Sequence, residues 1–110
     1  MLSASNRMRK SEEFVRVTKS GHRVTTPHLV LYHSVDQEAA ATPTVGLIIN
    51  KSIGGSVQRH SIARQLRHSM RQFISDLHPH THIVIRVIKS NDDYKSDLQT
   101  AMEKVMKVAK

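Results

Sequence analysis

Lys51, Arg59, His60, Arg64, Arg67, His68 and Arg71 stand in a stretch with no Asp or Glu between Ala39 and Ser75. Guanidinium groups offer planar, paired donors that match phosphate oxygens, and neighbouring cations displace the counterions condensed on a polyanion. The chemistry open to such a row is recognition of a nucleic-acid backbone. A solvated helix face is the alternative, but such a face normally interleaves acids with bases. The row follows the small-residue turn Ile53-Gly54-Gly55-Ser56. Lys51, Gly54, Gly55 and Arg59 have a structural role there as a strand-to-helix connection. That role leaves room for an anion at the unpaired N–H groups of a helix N-terminus.

Phe14 and Tyr32 belong to a chain with only two Phe, two Tyr and no Trp. Aromatic faces stack on unpaired bases, with a gain of about 1–3 kcal/mol per base. Core packing competes for Phe14, whereas the Tyr32 hydroxyl suits the wet edge of a cleft. Arg7, Arg9 and Lys10 would give that cleft a basic rim, suited to a single strand read without strong sequence preference. His78, His80 and His82 alternate, and on an extended segment they would share a face where zinc is conceivable. No Cys or nearby acid completes such a site and Pro79 favours a loop, so no metal is assigned to the protein. Asp92, Asp93 and Asp97 are explained as helix caps and first-turn acids.

These groups need elements to position them. Residues 1–10 show no apolar periodicity and are expected as a basic arm. Ser11 is the expected cap of a short helix with Glu12 and Glu13 in its first turn, Phe14 and Val17 on one face, and Gly21 at its end. His22 to Ser34 is extended and divided by Pro27, with the strand formers Leu29-Val30-Leu31-Tyr32. A polar loop leads to a strand at Val45–Asn50. The long helix is expected from Ser56 to about Leu77, before Pro79. At ~100° per residue, Ile62, Leu66, Met70, Phe73, Ile74 and Leu77 fall in one arc of roughly 120°, and His60, Arg64, Arg67, His68 and Arg71 fall in the adjoining arc. Ile83–Ile88 is a further strand, with Arg86 in its middle. A last helix carries Leu98, Ala101, Met102, Val105 and Val108. The expected architecture is one α/β (α+β) sandwich domain over residues 1–110, in the order α-β-β-β-α-β-α with a four-stranded sheet.

With 17 Lys+Arg against 9 Asp+Glu, the 110-residue chain has a formal charge of +8 and a pI near 10.3. That excess favours phosphate backbones or anionic surfaces. The absence of Cys excludes disulfides and thiol catalysis. With no apolar run of membrane-spanning length and no signal-peptide core, the expected location is the cytoplasm.

Together these residues resemble the protein subunit of bacterial ribonuclease P, the ribozyme that removes 5′ leaders from precursor tRNA. The likeness runs through Asn6-Arg7-Met8-Arg9, Glu13-Phe14 with Val17 and Gly21, and Leu29-Val30-Leu31-Tyr32. Its most specific part is Val45-Gly46-Leu47, Lys51, Ile53-Gly54, Val57, Arg59-His60, Ile62, Arg64, Leu66-Arg67 and Arg71.

The resemblance implies a left-handed βαβ crossover around the long helix, which general handedness rules disfavour. It implies that Lys51, Gly54, Arg59, His60, Arg64, Arg67 and Arg71 face the catalytic RNA. It also implies that Arg7, Arg9, Lys10, Phe14, Thr18 and Tyr32 surround a cleft for the leader of precursor tRNA. Hydrolysis then belongs to the RNA and its Mg2+, with no catalytic group and no cofactor on the protein and no obligate protein partner. The chain departs from the family pattern at His60, Ser61, Ala63 and His68 on the helix, and at Thr18 in the cleft. Beside phosphates, His60 and His68 would favour their charged forms, so RNA binding is expected to tighten as pH falls. The competing readings are a general RNA- or DNA-binding module and a hydrolase built on His78, His80 and His82.

Overall fold

Alternation along two strands decides the layering. In β2 (Leu29–Val35), Leu29, Leu31 and His33 are buried while Val30, Tyr32 and Ser34 are half-buried. In β4 (Thr81–Val87), Val87, Ile85 and Ile83 pair with those three buried residues and share their side of the sheet. Strand side chains alternate with a period of two, so one face carries a large core and the other a smaller cluster. The structure is a computed structural model that describes residues 6–8, 10–35, 42–77, 79–91 and 93–108.

The remaining elements are α1 (Ser11–Ser20), β1 (His22–Thr25), β3 (Thr44–Ile49), a 3-10 turn (Lys51–Ile53), α2 (Ser56–Ile74) and α3 (Lys95–Val108). Their order is the expected one. The sheet runs β1-β2-β4-β3, with β3 and β4 parallel and the other pairs antiparallel. Parallel neighbours need a crossover, and α2 supplies it. The Lys51 turn and the start of α2 therefore sit at the C-terminal end of β3.

α2 and α3 cover the larger face. Ile62, Leu66 and Met70 of α2 and Leu98, Met102 and Val105 of α3 pack on Leu29, Leu31, Val45, Ile83 and Ile85. Each such buried aliphatic side chain contributes about 1.5–3 kcal/mol. On the other face Val17 of α1 is buried with Met8 and Val84, and Phe14, Tyr32 and Ile48 pack at the margin.

Several local details depart from the sequence reading. Lys10, not Ser11, is the cap of α1, because the Lys10 carbonyl already accepts the N–H groups of Glu13 and Phe14. Gly21 ends that helix in an extended conformation (φ −80°, ψ 165°) rather than a left-handed one. Its small size answers to packing, since a Cβ there would lie 2.7 Å from the His33 carbonyl oxygen. α2 stops at Ile74, and two tight turns (Asp76 N–H to Phe73, Leu77 N–H to Ile74) carry Leu77 back into the core.

Residues 6–8 are not a free arm. The Asn6 side-chain amide donates to the Pro43 carbonyl (2.8 Å), and the Met8 N–H donates to Val45 (3.0 Å). Arg7 forms a parallel bridge to Val45, on the edge of β3 away from β4. Met8 is buried against α1. A single methionine without periodic partners gave no sign of that docking.

Asp97 also differs. It is 7% exposed, and its carboxylate accepts from the Thr26 hydroxyl (2.9 Å) and the His28 N–H (2.7 Å). It thereby ties α3 to the β1–β2 turn. Asp93 does cap, accepting the Lys95 N–H at 2.9 Å, while Asp92 lies outside the described residues.

Candidate nucleic-acid interface

On α2 the core residues Ile62, Leu66 and Met70 fix the orientation of everything else. His60, Arg64, His68 and Arg71 are exposed, and Arg59 and Arg67 are half-buried. No acid occupies the first turn of α2, no side chain caps it, and its cap residue is Gly55. Space around the Gly55 Cα is open, with nothing within 4 Å of where a Cβ would stand. Gly54 is extended (φ 163°), so neither glycine is required for a left-handed turn, and the nearest atoms a Cβ at Gly54 would meet belong to the Gln58 side chain. Lys51 is exposed on the 3-10 turn, next to this opening. Val57 is 84% exposed, an apolar tip between Lys51 and Arg59.

Arg7 joins this side of the molecule. Parallel bridge partners point their side chains the same way, and Val45 points into the core beneath Ile62 and Leu66. Arg7 therefore points toward α2, while Met8 points toward α1. Burial, and then the charge of Arg7, pull the Arg67 guanidinium below its ordinary value. Arg7 Nε and Arg59 Nε are buried without a hydrogen-bond partner in the protein. Arg7, expected on the cleft rim, thus stands at the outer edge of β3 on the α2 side.

The opposite face holds the other group. Phe14 lies over Gly46, where a Cβ would come within 2.5 Å of its ring. Thr18 is one helical turn further on, half-buried, with its hydroxyl donating to the carbonyls of Phe14 (2.9 Å) and Val15 (3.1 Å). Tyr32 pairs with Val84 and packs in the same cluster as Phe14. Lys10 is exposed at the start of α1, and Arg9 lies outside the described residues. The next cross-strand row, Val30–Arg86–Ile48, shares this face; its aliphatics are half-buried and Arg86 is exposed.

Of the three alternating histidines, His78 lies outside the described residues and His80 is half-buried. His82 is 2% exposed, with its Nδ1 2.6 Å from the Thr44 hydroxyl.

A family model described as ribonuclease P matches residues 2–110. The chain is 45% identical over 93 residues to the ribonuclease P protein component of Mycobacterium ulcerans, covering 83% of this chain and 78% of that one. The chain belongs to the ribonuclease P protein family. The component from Mycolicibacterium vanbaalenii is 38% identical over 111 residues, covering 96% of this chain and 93% of that one. The solved ribonuclease P protein of Staphylococcus aureus superposes with a TM-score of 0.76 at 26% identity, covering 96% of this chain and 95% of that one.

The chain therefore acts in tRNA processing as a subunit of the ribonuclease P holoenzyme and associates with ribonuclease P RNA. Among the described residues no helix is long and apolar enough to cross a membrane. For a ribonuclease P protein, two further residues now stand out. Arg86 was legible only as a charge inside an apolar strand, and cross-strand register reveals its face. Val57 had no signal of its own beyond its place in the family pattern.

Proposed function

We propose that this subunit holds ribonuclease P RNA on the α2 side and the unpaired 5′ leader of precursor tRNA on the α1 side. Lys51, Gly54, Arg59, His60, Arg64, Arg67 and Arg71 meet the catalytic RNA. Phe14, Thr18, Tyr32, Lys10 and Arg9 meet the leader. One observation supports the reading most: a cationic helix with no acid of its own and a half-buried aromatic cluster stand on opposite faces of one sheet. Cations lower the repulsion between two polyanions, so the protein favours assembly at low Mg2+. Mg2+ held by the RNA and the RNA itself carry out hydrolysis, and the protein supplies binding and orientation. The cytoplasm is where such a particle would work.

Salt dependence tests the α2 side. Arg64→Gln is expected to lower the slope of log affinity for ribonuclease P RNA against log salt by about one. An unchanged slope removes Arg64 from the phosphate contacts. Leader-bearing against leaderless tRNA tests the α1 side: Tyr32→Ala should erase the preference of the holoenzyme for the leader. Equal loss for both substrates would contradict a leader cleft.

A further inference from the structure

His22 and His33 stand directly opposite one another in the antiparallel pair β1–β2. Opposed side chains share a face of the sheet, with Cβ atoms about 4.5–5.5 Å apart. The two imidazoles lie with ring centroids 5.3 Å apart and planes tilted by 30°. They begin the cross-strand row His22–His33–Ile83–Val45, on the side of the sheet that α2 and α3 cover. His22 is exposed at the sheet edge, since β1 has only β2 as a neighbour. His33 is 4% exposed.

An aliphatic side chain would extend this row past Ile83 at no polar cost. Instead His33 Nε2 is buried without a hydrogen-bond partner, and among the described residues neither ring makes a hydrogen bond or ion pair. An unpartnered nitrogen buried to that degree is rare in folded proteins and calls for an ion or a water. A neutral imidazole nitrogen offers a lone pair in the ring plane, which a transition-metal ion accepts. Two imidazoles on one tetrahedral ion, with metal–nitrogen bonds of about 2.0–2.1 Å, hold their ring centroids about 5 Å apart. The observed spacing already meets that requirement, and the exposed His22 ring can turn about its last torsion to aim a nitrogen inward. The ligand type selects the ion: paired imidazoles suit Zn2+, Ni2+ or Cu2+, whereas Mg2+ keeps to oxygen ligands.

We infer that His22 and His33 form a two-imidazole site for a divalent first-row transition metal, clipping the edge strand β1 to β2. Water fills the remaining positions, because among the described residues no cluster of three or more His, Cys, Asp or Glu could hold an ion. The site is independent of the proposed RNA contacts and separate from the Mg2+ of the RNA. It departs from the expectation that the protein itself holds no metal.

The test is titration of the metal-free full chain with Ni2+, Zn2+ and Mg2+ in turn, read by calorimetry and thermal melting. One equivalent of Cu2+ is followed by electron paramagnetic resonance, whose hyperfine pattern counts the ligating nitrogens. The chain has eight His, so a His78→Gln, His80→Gln double variant removes the alternating run as a rival. Wild type and that double variant should both bind Ni2+ and Zn2+, and Cu2+ should show two nitrogens. Either metal should raise the melting temperature by a few degrees, because only the folded chain brings His22 and His33 together. His22→Gln should weaken the first equivalent tenfold or more, remove the melting shift and leave one nitrogen on Cu2+. His22 is exposed, so this variant without metal should melt as wild type does. His33→Gln, the buried partner, should lose the metal in the same way.

Unchanged affinity in His22→Gln, or a single nitrogen on Cu2+ in wild type, would overturn the inference. So would metal binding lost in the His78→Gln, His80→Gln variant, an equal melting shift with Mg2+, or a wild-type chain that takes up no metal.

Discussion

The ring of Phe14 rests on Gly46, with the ring atoms Cε1 and Cζ 2.5 and 2.6 Å from where a Cβ would stand. Gly46 ends the cross-strand row Tyr32–Val84–Gly46 on the edge strand β3, and the glycine makes room for Phe14 of α1 on the sheet. Gly46→Ala should push the ring away and open the Met8–Val17–Val84 cluster. We expect a loss of about 1–3 kcal/mol in stability, the usual range for overpacking. Chemical denaturation measures it. Under the proposed division of faces, leader-dependent affinity should fall with it, while affinity for ribonuclease P RNA should hold.

Arg86 is exposed between Val30 and Ile48 on the same face, with no shielding from α1. A cation on an open, partly apolar sheet suits the backbone of a single strand. Arg86→Gln should weaken precursor binding about tenfold when the leader is long enough to cross the sheet. It should have little effect on tRNA without a leader. Titrations with leaders of graded length check this, and a length-independent loss would contradict it.

Asp97 tests the other end of the sheet. Burial raises its carboxyl pKa, but hydrogen bonds from the His28 N–H, the Thr26 hydroxyl and the His28 ring bring it below the usual carboxylate value. A depressed folded pKa contributes stability that is whole above the unfolded pKa and is lost as pH falls through the folded one. Asp97→Asn should therefore cost about 1–3 kcal/mol at pH 7 through its unsatisfied partners. The gap from wild type should close below about pH 4. Melting curves across pH read both effects.

A buried histidine makes stability depend on pH. His33 is 4% exposed and stacks on His22 with ring centroids 5.3 Å apart. Burial, and then the charge of His22, lower its pKa from the ordinary 6.5. The neutral form is favoured by folding, so stability should decline as pH drops below about 6.5. His33→Gln should flatten that decline.

Long periodic elements were legible because period carries their signal. Ile62, Leu66 and Met70 repeat at helical spacing, and the structure buries all three while exposing Arg64 and Arg71 beside them. Contacts between distant segments left no local trace. Arg7 docks at the edge of β3 only because Asn6 and Met8 bond to residues that no pattern links to them. Asp97 was legible as a first-turn acid, which it is, but its partners Thr26 and His28, 71 and 69 residues away, were not. Gly21 was legible only as a helix end and Gly46 only as part of a strand, whereas the reason for each glycine is steric: each lies under a group from another element. Even the value of Arg86 depends on a register that the sequence does not display.

Reconstitution tests the central claim most directly. The purified protein is mixed with a bacterial ribonuclease P RNA at Mg2+ too low for the RNA to act alone, and cleavage of precursor tRNA is followed. We expect cleavage at the 5′ end of the mature tRNA to be restored, with no cleavage by the protein without RNA. Protein that cuts precursor unaided, or that binds the RNA yet leaves cleavage at its starting level, would contradict the account.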